Sequence, residues 1–173
     1  MRASPGRGGS AEMPWLKRWG PALAWAVVIS GFSTSLFTAQ NTGSVIIPVL
    51  HWIFPGFSPG TLSVIHFAIR KCAHFTEYFI LSWLILRGLR GEMKVTKVHW
   101  ALLTIFLVFG YAALDEFHQS FVPGRTAAFR DVLLDTSGGI TAQVVAALLM
   151  LLAGARERRK EREAGEFVHR DSR

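Results

Sequence analysis

Two long stretches without charge constrain this chain more than any other feature. No Asp, Glu, Lys or Arg occurs between Arg18 and Arg70, or between Asp135 and Arg156. A soluble helix needs a polar face toward water, whereas a helix that crosses a bilayer needs about 20 mostly apolar residues. Charged residues make up 18% of the chain, which is below the roughly 25% of soluble domains. The pattern therefore predicts an integral membrane protein.

Four apolar segments are long enough to be considered as spans, since only helices and closed barrels satisfy their backbone inside lipid. The predicted fold is all-α, a bundle of four transmembrane helices at about residues 19–38, 72–89, 98–117 and 132–153. These helices form one domain over residues 19–153. An N-terminal tail covers residues 1–18, and a basic tail covers residues 154–173. Charge pairs at helical spacing predict that the last helix continues into this basic tail.

The segment at about residues 41–60 has a different character. It contains apolar residues, but Pro48, Pro55 and Pro59 interrupt it, and proline removes a backbone donor. Trp52 and Phe57 are typical of residues that settle at the membrane interface. We therefore expect an interfacial or re-entrant outer loop, which either anchors the protein or covers a site.

The positions of Lys and Arg predict the orientation, because cytoplasmic loops carry an excess of these residues. Fifteen of the 19 Lys and Arg residues fall in the N-terminal tail, in the connection between the second and third predicted helices, and in the C-terminal tail. In a four-helix topology these three segments lie on one side. Both termini are thus predicted to be cytoplasmic, in a multi-pass protein of the cell membrane. The net charge of +7 is then a topology signal, and no nucleic-acid partner is expected.

Polar residues gather at the opposite ends of the predicted helices. Charge in a membrane segment costs about 2.5–3.5 kcal/mol on insertion scales, so it usually persists for a reason. In the N-in topology, all of these residues lie at the depth of the outer leaflet. We therefore predict one polar pocket there. Its candidate residues are Lys71, His74, Glu77, Asp115, Glu116, His118, Gln119, Arg125, Asp131 and Asp135.

The order of these residues resembles that of the VanZ-like family, small bacterial multi-helix membrane proteins named for a teicoplanin-resistance accessory protein. The resemblance covers about residues 20–153. It rests on the runs Lys71-x-x-His74-x-x-Glu77-Tyr78, Asp115-Glu116-x-His118-Gln119-x-Phe121-x-Pro123-Gly124-Arg125-Thr126 and Asp131-x-x-x-Asp135-x-x-Gly138.

Position by position, the resemblance places polar motif residues of the family on Lys71, His74, Glu77, Asp115, Glu116, Gln119, Arg125 and Asp131. Family members often have Asn where this chain has Asp135, so this chain carries one additional acid. The resemblance implies a role at the cell envelope.

The sequence is compatible with three functions. In the first, the pocket binds a lipid headgroup, a cell-wall precursor or a glycopeptide-like compound, with Arg125 and Lys71 holding phosphate or carboxylate groups. In the second, the chain is a membrane-embedded enzyme that uses His74 or His118 as a base on a lipid-linked substrate. In the third, the acids and bases neutralise one another and fix helix register.

The sequence favours binding over catalysis. It has no His-Glu-x-x-His and no Gly-x-Ser-x-Gly motif. Its single cysteine, Cys72, excludes an internal disulfide framework and a multi-cysteine zinc motif. We predict no cofactor and no bound metal, and we expect membrane lipids as partners. Oligomeric state is not predicted.

Overall fold

The computed structural model describes residues 14–90, 98–125 and 127–171. Within these ranges the protein is all-helical and contains no strand. The helices are α1 (Pro14–Phe32), α2 (Ala39–Ile53), α3 (Pro59–Arg90), α4 (Val98–Gln119) and α5 (Phe129–Asp171), and a 3-10 turn (Ser35–Phe37) lies between α1 and α2. The predicted N-terminal tail as far as residue 13 lies outside the described residues, as do Lys94, Lys97 and Thr126.

Two helices are long and apolar enough to cross a membrane, namely Val98–Gln119 and Phe129–Lys160. The segments Trp15–Phe32 and Ser35–Ile53 meet at a bend of 65° and pass the same test when they are taken together. By length and composition, the described residues therefore contain two or three candidate spans. This supports the prediction of a membrane protein.

The break after α1 comes earlier than the sequence predicts. The chain leaves the helix after Phe32 because hydroxyl side chains offer the backbone other partners. The side chain of Thr34 donates to the carbonyl of Gly31 at 2.8 Å, and Thr38 caps α2 by accepting from the amide of Asn41 at 3.2 Å. The predicted outer loop is thus largely the helix α2, which continues through Pro48.

The helix α3 is longer than its predicted apolar segment and begins at Pro59. Ser58 accepts a hydrogen bond from the amide of Thr61 at 3.1 Å, so a serine cap followed by proline in the first turn starts this helix. A basic pair such as Arg70 and Lys71 does not stop a helix, which is why the charged segment belongs to α3.

The helix α5 continues far beyond the apolar segment and ends at Asp171. Arg159 donates to Glu163 at 2.8 Å, four residues later on the same exposed face. Pairs with this spacing support a solvated helix. The predicted helical extension into the basic tail is confirmed.

The helix α3 lies at the centre of the bundle. It packs most extensively on α5 and also contacts α1, α2 and α4. The core between these helices includes Tyr78, Leu81, Val108 and Ala112, all of them buried. Large apolar side chains on the outer faces of α1, α4 and α5 are exposed, as expected for a surface that meets lipid.

Hydrogen bonds between the helices establish which ends lie together. Near one end, Arg18 of α1 donates to the carbonyls of Gly88 and Leu89 at the end of α3. Near the other end, Ser33 at the close of α1 donates to Asp115 near the end of α4. We call this second end, where α1 and α4 finish and α5 begins, the polar end.

Glycines let the backbones of α3 and α5 approach each other closely. A Cβ atom on Gly138 would collide with the carbonyl oxygen of Phe75 in α3, and one on Gly139 would lie 2.7 Å from Cγ1 of Val108 in the neighbouring helix α4. Beside them, Ser82 donates to the carbonyl of Gly139 at 2.9 Å and accepts from Gln143 at 2.7 Å. Small residues and interhelical hydrogen bonds of this kind hold membrane helices together.

Replacing Gly138 by Ala should destabilise the bundle, because the new methyl group meets a main-chain carbonyl that can move only with its helix. We expect a loss of about 1–3 kcal/mol, the usual cost of overpacking. Thermal unfolding in detergent measures this effect. Gly110→Ala is the matched control, since a Cβ there meets nothing within 4 Å. Equal stability of the two variants would contradict the close contact.

Candidate functional site

The polar end gathers most of the predicted pocket residues. Its outer edge is an ion pair in which Nζ of Lys71 lies 2.5 Å from Oδ1 of Asp131. Both side chains are partly buried, and the ammonium of Lys71 also lies 5.2 Å from the centre of the Phe67 ring. The basic residue of α3 is therefore already paired with the acid at the start of α5.

One turn deeper, three side chains face one another without a hydrogen bond between them. The Nδ1 atom of His74 lies 3.9 Å from Oε2 of Glu77 and 3.9 Å from Oδ1 of Asp135. These three atoms are buried and have no hydrogen-bond partner among the described residues. We call His74, Glu77 and Asp135 the inner trio. The hydroxyl of Tyr78, a fully buried residue, is also unpartnered.

The acid of α4 lies in a fully paired arrangement. The carboxylate of Asp115 accepts from Oγ of Ser33 at 2.5 Å and from the side-chain amide of Gln119 at 2.9 Å. Gln119 is one turn from Asp115, as their shared helix face predicts. Buried carboxylates with such partners are satisfied, so Asp115 ties the ends of α1 and α4 together.

The guanidinium of Arg125 spans the break between α1 and α2. It donates to the side chain of Gln119 at 2.9 Å. It also donates to the carbonyl of Phe32, to that of Thr34 at 3.4 Å and to that of Phe37 at 3.1 Å. The last carbonyls of a helix have no intrahelical partner, and here an arginine from a distant turn supplies one.

Two local features place Arg125 over this break. Gly124 has a φ of +79°, a left-handed conformation that glycine adopts without penalty, and the preceding turn is closed by the amide of Arg125 donating to Val122 at 3.1 Å. Burial lowers the pKa of the Arg125 guanidinium, as does the charge of Arg70, while the acids Asp115 and Glu116 oppose this change.

A second arginine reaches the same break from α3. Arg70 donates to the carbonyl of Phe37 and to Oγ1 of Thr42, both at 2.9 Å. Thr42 in turn lies 3.1 Å from Nε2 of the buried His66. The polar interruption after Phe32 in an otherwise apolar run was the sequence signal for this site. These polar residues indicate a break in the helix, but only the folded structure identifies Arg70 and Arg125 as the cations that contact it.

Glu116 and His118 point away from the inner trio. The carboxylate of Glu116 accepts from the backbone amide of Ala128, which places an acid at the entrance to α5, where the helix dipole favours it. The side chain of His118 is exposed. Of the ten predicted residues, the structure thus brings His74, Glu77 and Asp135 together, pairs Lys71 with Asp131, and leaves His118 outside.

The arrangement offers little for metal or covalent chemistry. No group of three His, Cys, Asp or Glu side chains among the described residues could hold a metal ion. Cys72 is exposed. The buried acceptors of the inner trio can instead take donors from a bound group.

These features define a helical membrane protein with buried polar groups concentrated at one end. A family model described as VanZ/LLP1 matches residues 19–151. The chain therefore belongs to the VanZ/LLP1 family, and the resemblance recognised in its polar motifs is confirmed. No curated protein and no solved structure matches the chain.

Replacing Arg125 by Ala should loosen the break between α1 and α2, because three backbone carbonyls lose a charged donor. Hydrogen bonds to charged groups contribute about 1.5–3 kcal/mol each. We expect faster hydrogen exchange in residues 31–42, measured by mass spectrometry in detergent. Arg130→Ala is the control, since Arg130 is exposed nearby. Unchanged exchange in Arg125→Ala would contradict this role.

Proposed function

We propose that the chain is a multi-pass protein of the cell membrane with four spans and both termini in the cytoplasm. Residues 72–89 of α3 supply the additional span, because the one acid in this segment, Glu77, is largely buried within the bundle rather than exposed to lipid. The end of the bundle that contains Arg18 and Arg90 is rich in Lys and Arg, which supports a cytoplasmic position for this end. The polar end then lies in the outer leaflet.

Labelling of single cysteines in intact cells tests this orientation. In a Cys72→Ala background, a membrane-impermeant maleimide should react with Gly56→Cys, which lies in the turn between α2 and α3. It should react with Arg158→Cys only after the cells are opened. The reverse pattern would overturn the proposed topology.

We further propose that the polar end binds the polar portion of an envelope molecule. The candidates are a lipid headgroup, a cell-wall precursor and a glycopeptide-like compound. The observation that carries this proposal is the inner trio, because buried polar groups in proteins normally have partners. Three unpartnered acceptors between two packed helices favour a site that is completed by a ligand. A role in resistance to teicoplanin-type compounds belongs to the same proposal, since the family resemblance points to the cell envelope.

Binding is better supported than catalysis. Both carboxylates lie 3.9 Å from the ring nitrogen of His74, so neither forms in this structure the hydrogen bond that would orient His74 as a general base. Among the described residues, His74 makes no hydrogen bond to a hydroxyl or thiol. A purely structural network describes the pair Lys71–Asp131 well, but it leaves the inner trio unexplained.

Exchanging His74 for Gln should reduce the amount of native ligand that copurifies with the protein, because Gln cannot reproduce the ring nitrogen in its place. Mass spectrometry of lipids and small molecules extracted from the purified full chain measures this amount. We expect a loss of about tenfold, which corresponds to one good hydrogen bond to a charged group.

The matched control for this experiment is His118→Gln, which removes an exposed histidine from the same end of the bundle. Its extract should be identical to that of the wild type. If both histidine variants retain the same molecules in the same amounts as the wild type, the proposed binding function is wrong. If His74→Gln lowers only abundance and detergent stability, the structural alternative is correct.

A further inference from the structure

The inner trio has the arrangement of acceptors that a primary ammonium group requires. Resting on the proposed binding function, we propose that His74, Glu77 and Asp135 receive an R–NH3+ group of the ligand, between α3 and α5 and beneath the pair Lys71–Asp131. The ligand class is thus a primary amine, in the form of an amino headgroup of a lipid or a free amine.

The number and spacing of the acceptors fit this group. An ammonium carries three N–H donors and no acceptor. The trio presents three unpartnered atoms, namely Nδ1 of His74, Oε2 of Glu77 and Oδ1 of Asp135. Nδ1 of His74 lies 3.9 Å from each carboxylate oxygen, a separation that one nitrogen can bridge at about 2.8–2.9 Å from both atoms, the usual length of a charged N–H···O bond.

Burial makes the absence of protein partners significant. The side chain of Asp135 is only 3% exposed, and its unpartnered oxygen faces the imidazole of His74. Tyr78 is fully buried on the same helix, and its unpartnered hydroxyl can orient toward an incoming group. Leaving such groups unsatisfied costs free energy, and a bound donor removes that cost.

The charges around the trio favour a cation. Glu77 and Asp135 are two acids beside one histidine, and the described residues place no basic side chain in an ion pair with either acid other than His74. Lys71 is paired with Asp131, and the guanidinium groups of Arg70 and Arg125 are directed at backbone carbonyls. Lys71, Arg70 and Arg125 therefore act on the trio only through longer-range charge, and its unpartnered acceptors are left for the donors of the ligand.

The same chemistry distinguishes between kinds of cation. A quaternary ammonium has no N–H donor and is recognised by aromatic faces, whereas the trio offers oxygen and nitrogen acceptors. The described residues also contain no group of three His, Cys, Asp or Glu that could hold a metal ion. Primary amines should therefore be strongly preferred over methylated amines.

The test uses the full chain in lipid nanodiscs. One preparation contains phosphatidylethanolamine and the other contains phosphatidylcholine with the same acyl chains, each mixed with phosphatidylglycerol. Native mass spectrometry then measures how much of each zwitterionic lipid remains on the protein. We expect about tenfold more phosphatidylethanolamine than phosphatidylcholine on the wild type, since a charged hydrogen bond contributes at least this factor.

Two variants and a soluble competitor locate the effect. Glu77→Gln should lower the preference for phosphatidylethanolamine about tenfold, and its matched control Glu163→Gln, an exposed acid on α5, should leave the preference unchanged. Asp135→Asn should act like Glu77→Gln.

Displacement of the lipid by ethanolamine but not by choline would identify free amines as ligands too, and absence of displacement would restrict the site to the lipid headgroup.

The outcomes separate this proposal from the one on which it rests. Equal retention of the two lipids by the wild type would overturn the ammonium site. The binding function would still stand if His74→Gln, but not His118→Gln, lost a native ligand. A preference for phosphatidylethanolamine that survives in Glu77→Gln and Asp135→Asn would likewise overturn the assignment to the trio. Wild-type discrimination decides the ligand class even if one variant does not fold.

Discussion

The close contact between α3 and α5 is the constraint on which the polar end depends. Because Gly138 has no side chain, α5 approaches the backbone of α3 at Phe75. Asp135 lies one turn before this contact, and His74 is the residue next to Phe75. The approach that packs the two helices therefore also brings an acid and an imidazole from different helices within 3.9 Å. Packing and site geometry have the same cause.

Arg70 and Arg125 donate hydrogen bonds to backbone carbonyls, although their charge suggests that they would pair with the acids of the polar end. Arg70 and Arg125 converge on the carbonyl of Phe37, where the chain turns between α1 and α2. In an apolar environment, unpaired carbonyls are costly, so a break in a helix requires donors. The cations stabilise the break, and among the described residues no basic side chain except His74 forms an ion pair with the acids of the inner trio. The proposed preference for a cationic ligand follows because the arginines donate to the break and the acceptors of the inner trio stay unpartnered.

Much of this arrangement could be predicted. The two long stretches without charge predicted a helical membrane protein, and the order of the polar residues predicted that they gather at one end of the bundle. The predicted edges of the helices were less accurate, because hydropathy follows the apolar run while the backbone follows its caps. Ser58 starts α3 well before its apolar segment, and Thr38 starts a helix where prolines had indicated a loop.

The sequence by itself determined the class of protein, the family and the end of the bundle at which polar residues gather, since these follow from composition, order and helical spacing. Only the tertiary structure decided the partners. It paired Lys71 with Asp131, directed Arg125 to backbone carbonyls and left Asp135 facing His74. The physical reason is that a hydrogen bond depends on a few tenths of an ångström between residues far apart in the chain, and that distance is set by how closely the helices pack.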